Sequence, residues 1–221
     1  IKEIVANDRI IGGMTRACSN LAVDLYSVLV EGKCHITNAR TAEMTKLTEN
    51  SCRDVQIAFA NELSIICDEL DIDVWELISL SNRHPRINIL NPGLGVGGHC
   101  IAVDPWFIIS KTPDKSPLIR AARNVNNDKP KWVINQIDKA LLEFLKENPE
   151  KSMKDIIVAC YGLTFKANID DLRESPALQI TTKFSYSHQG KILVVEPNIH
   201  SLPGDISHLE LVTKEKAFEV A

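Results

Sequence analysis

The stretch "IIVACYGLTFKANIDDLRESPALQITTKFSYSHQGKILVVE", residues 156–196, decides the fold class of this chain. It opens and closes with short apolar runs of the length of buried strands, and a polar loop between them leads into an amphipathic segment from Ser175 to about Tyr186. Serine followed by Pro176 is a typical helix start, because serine caps the first turn and proline fits its first position. The pattern predicts one strand–helix–strand unit of a parallel sheet.

Most of the sequence before this unit predicts helices. From Thr41 to about Leu70 apolar residues recur with a helical period and without Gly or Pro, which predicts a helix of roughly thirty residues, about 45 Å long. A helix is also predicted after Thr15, another over "DIDVWELISLSNR", and separate helical patterns over 116–127 and 129–147. The predicted fold class is a mixture of α and α/β, with an all-helical part followed by an α/β part.

Composition argues against several classes of protein. The 25 basic residues among 221 are scattered and the net charge is -4, which disfavours a nucleic-acid partner. No apolar run reaches the roughly 20 residues that span a bilayer, so we expect no membrane partner. The 6 cysteines include no C-x-x-C pair and no metal-ligand spacing, which is typical of reduced thiols in a cytoplasmic protein without a metal site.

The glycine-rich stretch "NPGLGVGGHCIAVDPWF", residues 91–107, allows three interpretations: a dinucleotide-binding loop, a buried thiol or a reactive cysteine. Gly93–Gly98 matches G-x-G-x-x-G, but no strand pattern leads into it and no helical stripe follows, which excludes the first. The other two remain balanced, because free cysteines are often buried, whereas glycine amides and His99 could stabilise a Cys100 thiolate. Asp104 could be a base or an ordinary turn residue.

Two further sets of polar residues are candidates for a site. Lys46 and Asn50 are spaced i, i+4 and share a helix face, although a solvated polar stripe is the alternative. Lys166 and Arg173 add positive charge to the loop before the predicted helix start at Ser175, where anions bind. Because only Gly162 of a glycine fingerprint is present there, this loop predicts phosphate binding rather than a full NAD site.

Three motifs in this order, "TAEMTKLTENSCRDVQIAFANEL", "NPGLGVGGHCIAVDPWF" and "YGLTFKANIDDLRESPA", resemble the UDP-glucose/GDP-mannose dehydrogenase family. The sequences of the segments "NRHPRINIL" and "GGHCIAVDPWF" are most similar to those of the branch that acts on UDP-N-acetyl-D-mannosamine. "FKAN" stands where the family commonly has "FKPN". In that family an N-terminal Rossmann domain holds NAD, a central helical domain makes the dimer, and a C-terminal Rossmann-like domain holds the UDP part of the substrate.

The resemblance therefore implies a domain organisation. We expect residues 1–32 to be a linker and helix remnant that follows a missing NAD domain. We expect residues 33–128 to form a central all-helical dimerisation domain with the catalytic loop. Residues 129–221 would form a truncated Rossmann-like UDP-binding domain, so that the chain is a piece of a longer enzyme.

The resemblance also implies a reaction, the NAD-dependent four-electron oxidation of the C6 alcohol of a UDP-sugar by a homodimer, for bacterial surface polysaccharide synthesis. Cys100 would be the nucleophile that carries a thiohemiacetal and then a thioester. Lys46 would stabilise oxyanion character at C6, Asn50 would position water or the oxygen, and Asp104 would help to activate water. Of the remaining site residues, Arg173 would contact the cofactor and the substrate would be bound by Arg86, Asn91, Gly97, Gly98, His99 and Lys166.

Two alternatives to this function remain open. UDP-glucose or UDP-N-acetylglucosamine could be the substrate, because enzymes for these substrates would differ only in their contacts with the sugar. The chain could also be a module that binds a UDP-sugar or makes a dimer without catalysis.

Overall fold

The computed structural model describes residues 2–221, with side chains from residue 4 onward. It divides into two compact units, Ile1–Cys52 and Arg53–Ala221. Among the described residues, no helix is both long enough and apolar enough to cross a bilayer.

The first unit contains a strand–helix–strand arrangement. Its two strands are parallel, with Arg9 opposite Cys34. Thr15 caps the helix between them by accepting a hydrogen bond from the Cys18 amide, as predicted, whereas the first strand was not predicted. Its elements are α1 (Lys2–Ala6), β1 (Arg9–Gly13), α2 (Arg16–Ser27), β2 (Cys34–Asn38) and the first part of α3 (Ala39–Glu69).

The long helix α3 confirms the helix predicted from Thr41 to Leu70. The second unit contains its last part, followed by three further helices: α4 (Val74–Ser81), α5 (Asp104–Lys111) and α6 (Pro117–Glu147). The prediction of two separate helical segments over α6 is wrong, because one helix continues through the buried Pro130. Packing of this helix against its neighbours outweighs the backbone hydrogen bond that proline removes.

Side-chain hydrogen bonds join α3 to α6 at four levels in the second unit. The partner numbers rise together along both helices, so the two helices run in the same direction. The pairs are Asp54 with Arg123, Asn61 with Asn126, Ser64 with Lys129, and Asp68 with Gln136.

The α/β part of the second unit has a parallel sheet in the order β3-β4-β5, with Val158 opposite Ile192. Its elements are β3 (Val158–Tyr161), α7 (Pro176–Ser187), β4 (Ile192–Val195), β5 (Glu210–Leu211) and α8 (Lys214–Val220). The predicted strand–helix–strand unit and the mixed α and α/β fold class are confirmed. The core under this sheet is formed by Leu141, Ile156, Leu163, Phe184, Ile192, Val194 and Ile206.

Two loops of the second unit carry most of the predicted site residues. One connects α4 to α5 and the other, 162–175, connects β3 to α7. The expectation that no helix follows the glycine run is wrong, because α5 begins at Asp104 with Pro105 in its first turn. The helix starts six residues after Gly98, and no strand leads into Gly93, so the segment differs from a dinucleotide-binding turn on both sides.

Candidate active site

The glycine segment, residues 93–98, leads directly to Cys100 and is hydrogen-bonded at both ends. The Gly93 amide donates to Oδ1 of Asn61 at 2.7 Å. The Gly98 amide donates to the Arg173 carbonyl at 3.0 Å, which ties the segment to the 162–175 loop. The backbone before the cysteine is therefore fixed by one buried side chain and one neighbouring loop.

Two of the glycines allow a close approach between these loops. A Cβ on Gly97 would lie 2.6 Å from the Glu174 carbonyl oxygen, and one on Gly98 would lie 2.9 Å from the Phe165 ring. Gly98 also has a φ of 81°, which favours glycine. In this structure Gly97 and Gly98 have a packing role, while their predicted contact with substrate stays a prediction.

Cys100 lies in the tight turn that starts α5 and is partly exposed. Its carbonyl accepts hydrogen bonds from the Val103 amide at 3.0 Å and from the Asp104 amide at 2.8 Å. The main-chain bond fixes Asp104, which is partly exposed, one turn beyond the cysteine. A thiol and a carboxylate one turn apart are suitably placed for a nucleophile and a group that orients water.

An ion pair on the 162–175 loop lies beside this turn. The Arg173 Nε donates to both oxygens of Asp171, at 2.9 and 3.0 Å, and its side chain remains 62% exposed. These hydrogen bonds lower the pKa of Asp171 to about 2, with a smaller contribution from His99. Asp171 in turn raises the pKa of Arg173, and charge at Cys100 adds to that increase. The pair is therefore within electrostatic range of both His99 and Cys100.

The other predicted substrate contacts of the second unit, Arg86, Asn91 and Lys166, are exposed on the two loops. Arg86 follows the residue pair His84-Pro85, and its amide is 3.3 Å from the His84 Nδ1. None of these side chains is buried, so each can reach a ligand from the loop surface. Their roles stay predictions.

Lys46 and Asn50 lie on α3 in the first unit, one turn apart. The Lys46 ammonium is 63% exposed and 3.6 Å from the Glu49 carboxylate, whereas Asn50 is buried. The catalytic roles of Lys46 and Asn50 stay predictions.

Sequence reasoning missed Glu196, which holds the start of the 162–175 loop. Its carboxylate accepts hydrogen bonds from the Leu163 amide at 2.9 Å and from the Thr164 amide at 3.2 Å. Burial acts to raise the pKa of Glu196, but the amide hydrogen bonds outweigh it and the net shift is downward. An acidic residue directly after a buried parallel strand was the signal that could have identified it.

Ser175 closes the same loop and confirms the predicted helix cap. Its hydroxyl accepts from the Leu178 amide at 3.3 Å and donates to the Leu163 carbonyl at 2.6 Å. The hydroxyl thus joins the α7 start to the first residues of the loop, and the loop that carries Lys166, Asp171 and Arg173 is fixed at its base.

A second missed feature is the Asp54 network, formed by Asp54, Asn61, Arg123 and Asn126. The Arg123 guanidinium lies 2.6 Å from the Asp54 carboxylate, and the side chains of the two residues are 3% and 0% exposed. Burial raises the pKa of Asp54, although Arg123 and Asn126 oppose the shift. Asn61 connects the network to the Gly93 amide.

A cavity of about 540 Å³ lies between α6 and α7, next to the glycine segment. Its wall includes Val96, Arg123, Glu174, Gln179 and Lys183. Cys100 and Arg173 do not line this cavity, so it is a neighbour of the candidate site rather than its centre.

Comparisons with known protein families give matches to two parts of this chain. The profile of the UDP-glucose/GDP-mannose dehydrogenase family, central domain, matches residues 40–128. The profile of the same family's UDP binding domain matches residues 159–220. Together the two matches cover more than half of the chain, and they include both loops of the candidate site.

Individual relatives carry related names. The chain is 58% identical over 94% of its length to the UDP-N-acetyl-D-mannosamine dehydrogenase of Escherichia coli K12, of which it covers 49%. It is 55% identical over its whole length to an NDP-N-acetyl-D-galactosaminuronic acid dehydrogenase of Ralstonia solanacearum, of which it covers 50%. A solved UDP-N-acetyl-mannosamine dehydrogenase from Staphylococcus aureus is 38% identical with a TM-score of 0.80, over 99% of this chain and 54% of that one. The chain spans about half the length of the curated relatives it matches.

Proposed function

The chain belongs to the UDP-glucose/GDP-mannose dehydrogenase family, and on that premise we propose that it is part of a UDP-N-acetyl-D-mannosamine 6-dehydrogenase. The complete enzyme would comprise this chain and an NAD-binding domain. The observation that carries the proposal is the position of Cys100, in a turn held by the glycine segment beside Arg173. The names of the E. coli and S. aureus relatives support the choice of sugar.

The proposed reaction has four steps, with Cys100 as the nucleophile. The C6 alcohol first loses a hydride and a proton and becomes an aldehyde. The Cys100 sulfur adds to the aldehyde carbon, and the oxygen takes up a proton to give a thiohemiacetal. Loss of a second hydride and the hydroxyl proton gives a thioester, which water hydrolyses to the carboxylate and the free thiol.

Side chains of this chain would assist at defined atoms. The Lys46 ammonium would stabilise negative charge on the oxygen at C6, an effect that is largest in the transition state. Asn50 would position that oxygen or the attacking water. Asp104, one turn beyond Cys100, would accept a proton from the water that cleaves the thioester.

The nucleotide part of the substrate would be held by Arg86 on the α4–α5 loop and by Lys166 on the 162–175 loop. Lys166 and Arg86 are exposed, as a residue that meets a diphosphate must be. Asn91 and His99 lie on either side of the glycine segment and would contact the sugar. The UDP-binding profile over 159–220 supports this assignment.

NAD, when bound, accepts the hydride that C6 loses in each of the two oxidations. The G-x-G-x-x-G run of this chain does not fit a dinucleotide pyrophosphate, because it lies in a loop that packs against 162–175. Arg173 fits the edge of such a cofactor, since its fork of donors is exposed beside Cys100. We propose that the pyrophosphate is bound by a part of the complete enzyme other than this glycine segment.

The test is an assay of the complete enzyme with NAD and each of UDP-N-acetyl-D-mannosamine, UDP-glucose and UDP-N-acetylglucosamine. We expect two NADH and one carboxylate per sugar, with the highest kcat/KM for the N-acetylmannosamine substrate. A preference for another sugar would correct the substrate. Binding of UDP-sugar without NADH from any of the three would favour a non-catalytic module.

We further propose that α3 forms the contact of a homodimer. Its exposed face carries large apolar side chains, among them Met44, Phe59 and Ile66. Light scattering of this chain should give the mass of a dimer, and Phe59→Glu should shift it to monomer while Glu62→Gln, also exposed on α3, should not. A monomeric chain at micromolar concentration would contradict the proposal.

A further inference from the structure

The orientation of the two buried amides in the Asp54 network follows from the carboxylate at its end. Asp54 can only accept hydrogen bonds when ionised, so Asn126 presents its Nδ2 to Asp54, at 2.8 Å from Oδ1. The Asn126 oxygen then faces Asn61 and accepts from its Nδ2 at 2.9 Å. This leaves the Asn61 oxygen as the acceptor for the Gly93 amide, at 2.7 Å.

The polarity of the whole chain of hydrogen bonds is therefore set by one charge. Asn126 is 1% exposed, and Asn61 and Asp54 are 0% exposed. Water therefore does not compete for these hydrogen bonds. Arg123 compensates the buried charge of Asp54 at 2.6 Å. A buried polar network of this kind favours a single arrangement of its members, whereas apolar side chains of equal volume would not specify one.

We propose that the Asp54 network positions the glycine segment, and through it the Cys100 thiol, with Asn61 as the residue that holds the Gly93 amide. The inference rests on the proposed function of Cys100. Asn61 touches no reacting atom and is a positioning residue. At the other end of the glycine segment, the Gly98 amide donates to the Arg173 carbonyl. Loss of Asn61 therefore leaves the segment hydrogen-bonded at that end only.

Two substitutions at this position separate polarity from side-chain shape. Asn61→Leu conserves the number and branching of the side-chain heavy atoms but removes both hydrogen bonds. Asn61→Asp retains an acceptor for the Gly93 amide, but an ionised carboxylate would face the Asn126 oxygen. A protonated carboxyl can donate to that oxygen and restores the original pattern, so Asn61→Asp should recover as the pH falls.

The experiment uses the complete enzyme and compares the wild type, both Asn61 variants and Gln136→Leu. The last is a matched control, because Gln136 makes an α3–α6 hydrogen bond, to Asp68 at 2.8 Å, that does not involve the glycine segment. For each protein we would measure the dissociation constant of UDP-sugar, kcat from about pH 5.5 to about pH 8.5, and the iodoacetamide labelling rate of Cys100 by mass spectrometry.

At about pH 8 both Asn61 variants should lose about 10²-fold in kcat, while the affinity for UDP-sugar changes little. Asn61→Asp should approach the wild type at low pH, Asn61→Leu should not, and Gln136→Leu should match the wild type throughout. Labelling of Cys100 should become faster in both Asn61 variants at about pH 8, because the freed segment exposes the thiol.

The proposal is overturned if Asn61→Leu retains both kcat and the labelling rate within about twofold of the wild type. It is also overturned if the pH profiles of the two Asn61 variants coincide. Should Asn61→Leu not fold, recovery of Asn61→Asp at low pH decides alone. If the wild type proved to make no acid, the labelling rates would still test the positioning, so that failure is distinct from failure of the proposed function.

Discussion

Two aspartate–arginine pairs in this molecule have the same chemistry and opposite surroundings. Asp54 and Arg123 join two helices, and their side chains are 0% and 3% exposed. Asp171 and Arg173 lie two residues apart on one loop, and their side chains are 22% and 62% exposed. The first pair is shielded from bulk water, whereas the second can exchange its partner for a ligand.

Burial separates a charge pair that fixes structure from one that is available for binding. A buried pair has lost its hydration, so removal of either partner leaves an uncompensated charge. An exposed pair keeps most of its hydration and contributes little to folding. We therefore assign Asp54 and Arg123 to the positioning of the glycine segment, and Asp171 and Arg173 to contacts made during the reaction.

The largest expected effect is on the buried pair. Arg123→Met should lower the free energy of unfolding by about 3–5 kcal/mol, because the Asp54 charge stays buried without its partner. The double variant Asp54→Leu/Arg123→Met should recover most of this loss. Urea unfolding of the three proteins measures both effects, and a loss under about 1 kcal/mol in Arg123→Met would remove the distinction between the pairs.

At the exposed pair we expect a smaller effect, on cofactor binding rather than on stability. Arg173→Leu should leave the urea midpoint nearly unchanged but raise KM for NAD by about tenfold or more in the complete enzyme, through loss of a charged hydrogen bond. The pKa of Asp171, held at about 2 by Arg173, should move up toward its ordinary value. Arg173→Lys, which keeps the charge without the fork, should fall between. NADH kinetics and an NMR titration of Asp171 check these outcomes, and an unchanged KM would show that Arg173 has no role at the cofactor.

The smallest effect tests a buried charge whose hydrogen bond is to a hydroxyl group. Lys129 is 3% exposed and donates to Ser64 at 2.5 Å, and burial lowers its pKa to about 8 against the opposing effect of the Asp68 charge. A lysine whose pKa is lower in the folded state makes the protein more stable as the pH rises from about 8 toward its ordinary value of 10.5. The free energy of unfolding of Lys129→Met minus that of the wild type should therefore decrease by roughly 1 kcal/mol between pH 7 and pH 9. Urea unfolding at both pH values measures the difference, and a constant difference would contradict the assigned burial cost.

Local signals in the sequence were sufficient for the elements that depend on neighbouring residues. Ser175 before Pro176 specifies a helix start by itself, and the structure has that cap. The helical period of apolar residues likewise predicts α3 from local sequence alone. The division of α6 into 116–127 and 129–147 was wrong because the packing that carries one helix through this region, Pro130 included, is tertiary.

The supports of the candidate site could not be predicted in the same way. Asn61 lies in an apolar helical pattern, and its partners are 32 residues away at Gly93 and 65 residues away at Asn126. No short-range pattern indicates which amide will meet which backbone group. Gly97 and Gly98 were expected to free the backbone for a ligand, but the structure also requires them for the approach to Phe165 and Glu174.

The most direct test of the account is the search for a covalent intermediate on Cys100. The complete enzyme would be quenched in acid during turnover of UDP-N-acetyl-D-mannosamine with NAD, digested and examined by mass spectrometry. Cys18→Ala is the matched control, because a hydrogen bond with Thr15 lowers the pKa of Cys18 and makes it a competing thiol. We predict that the peptide with Cys100 carries the mass of the UDP-sugar less four hydrogen atoms, in the wild type and in Cys18→Ala, and that Cys100→Ala binds UDP-sugar but forms no acid. Carboxylate production by Cys100→Ala at a rate near that of the wild type would contradict the account.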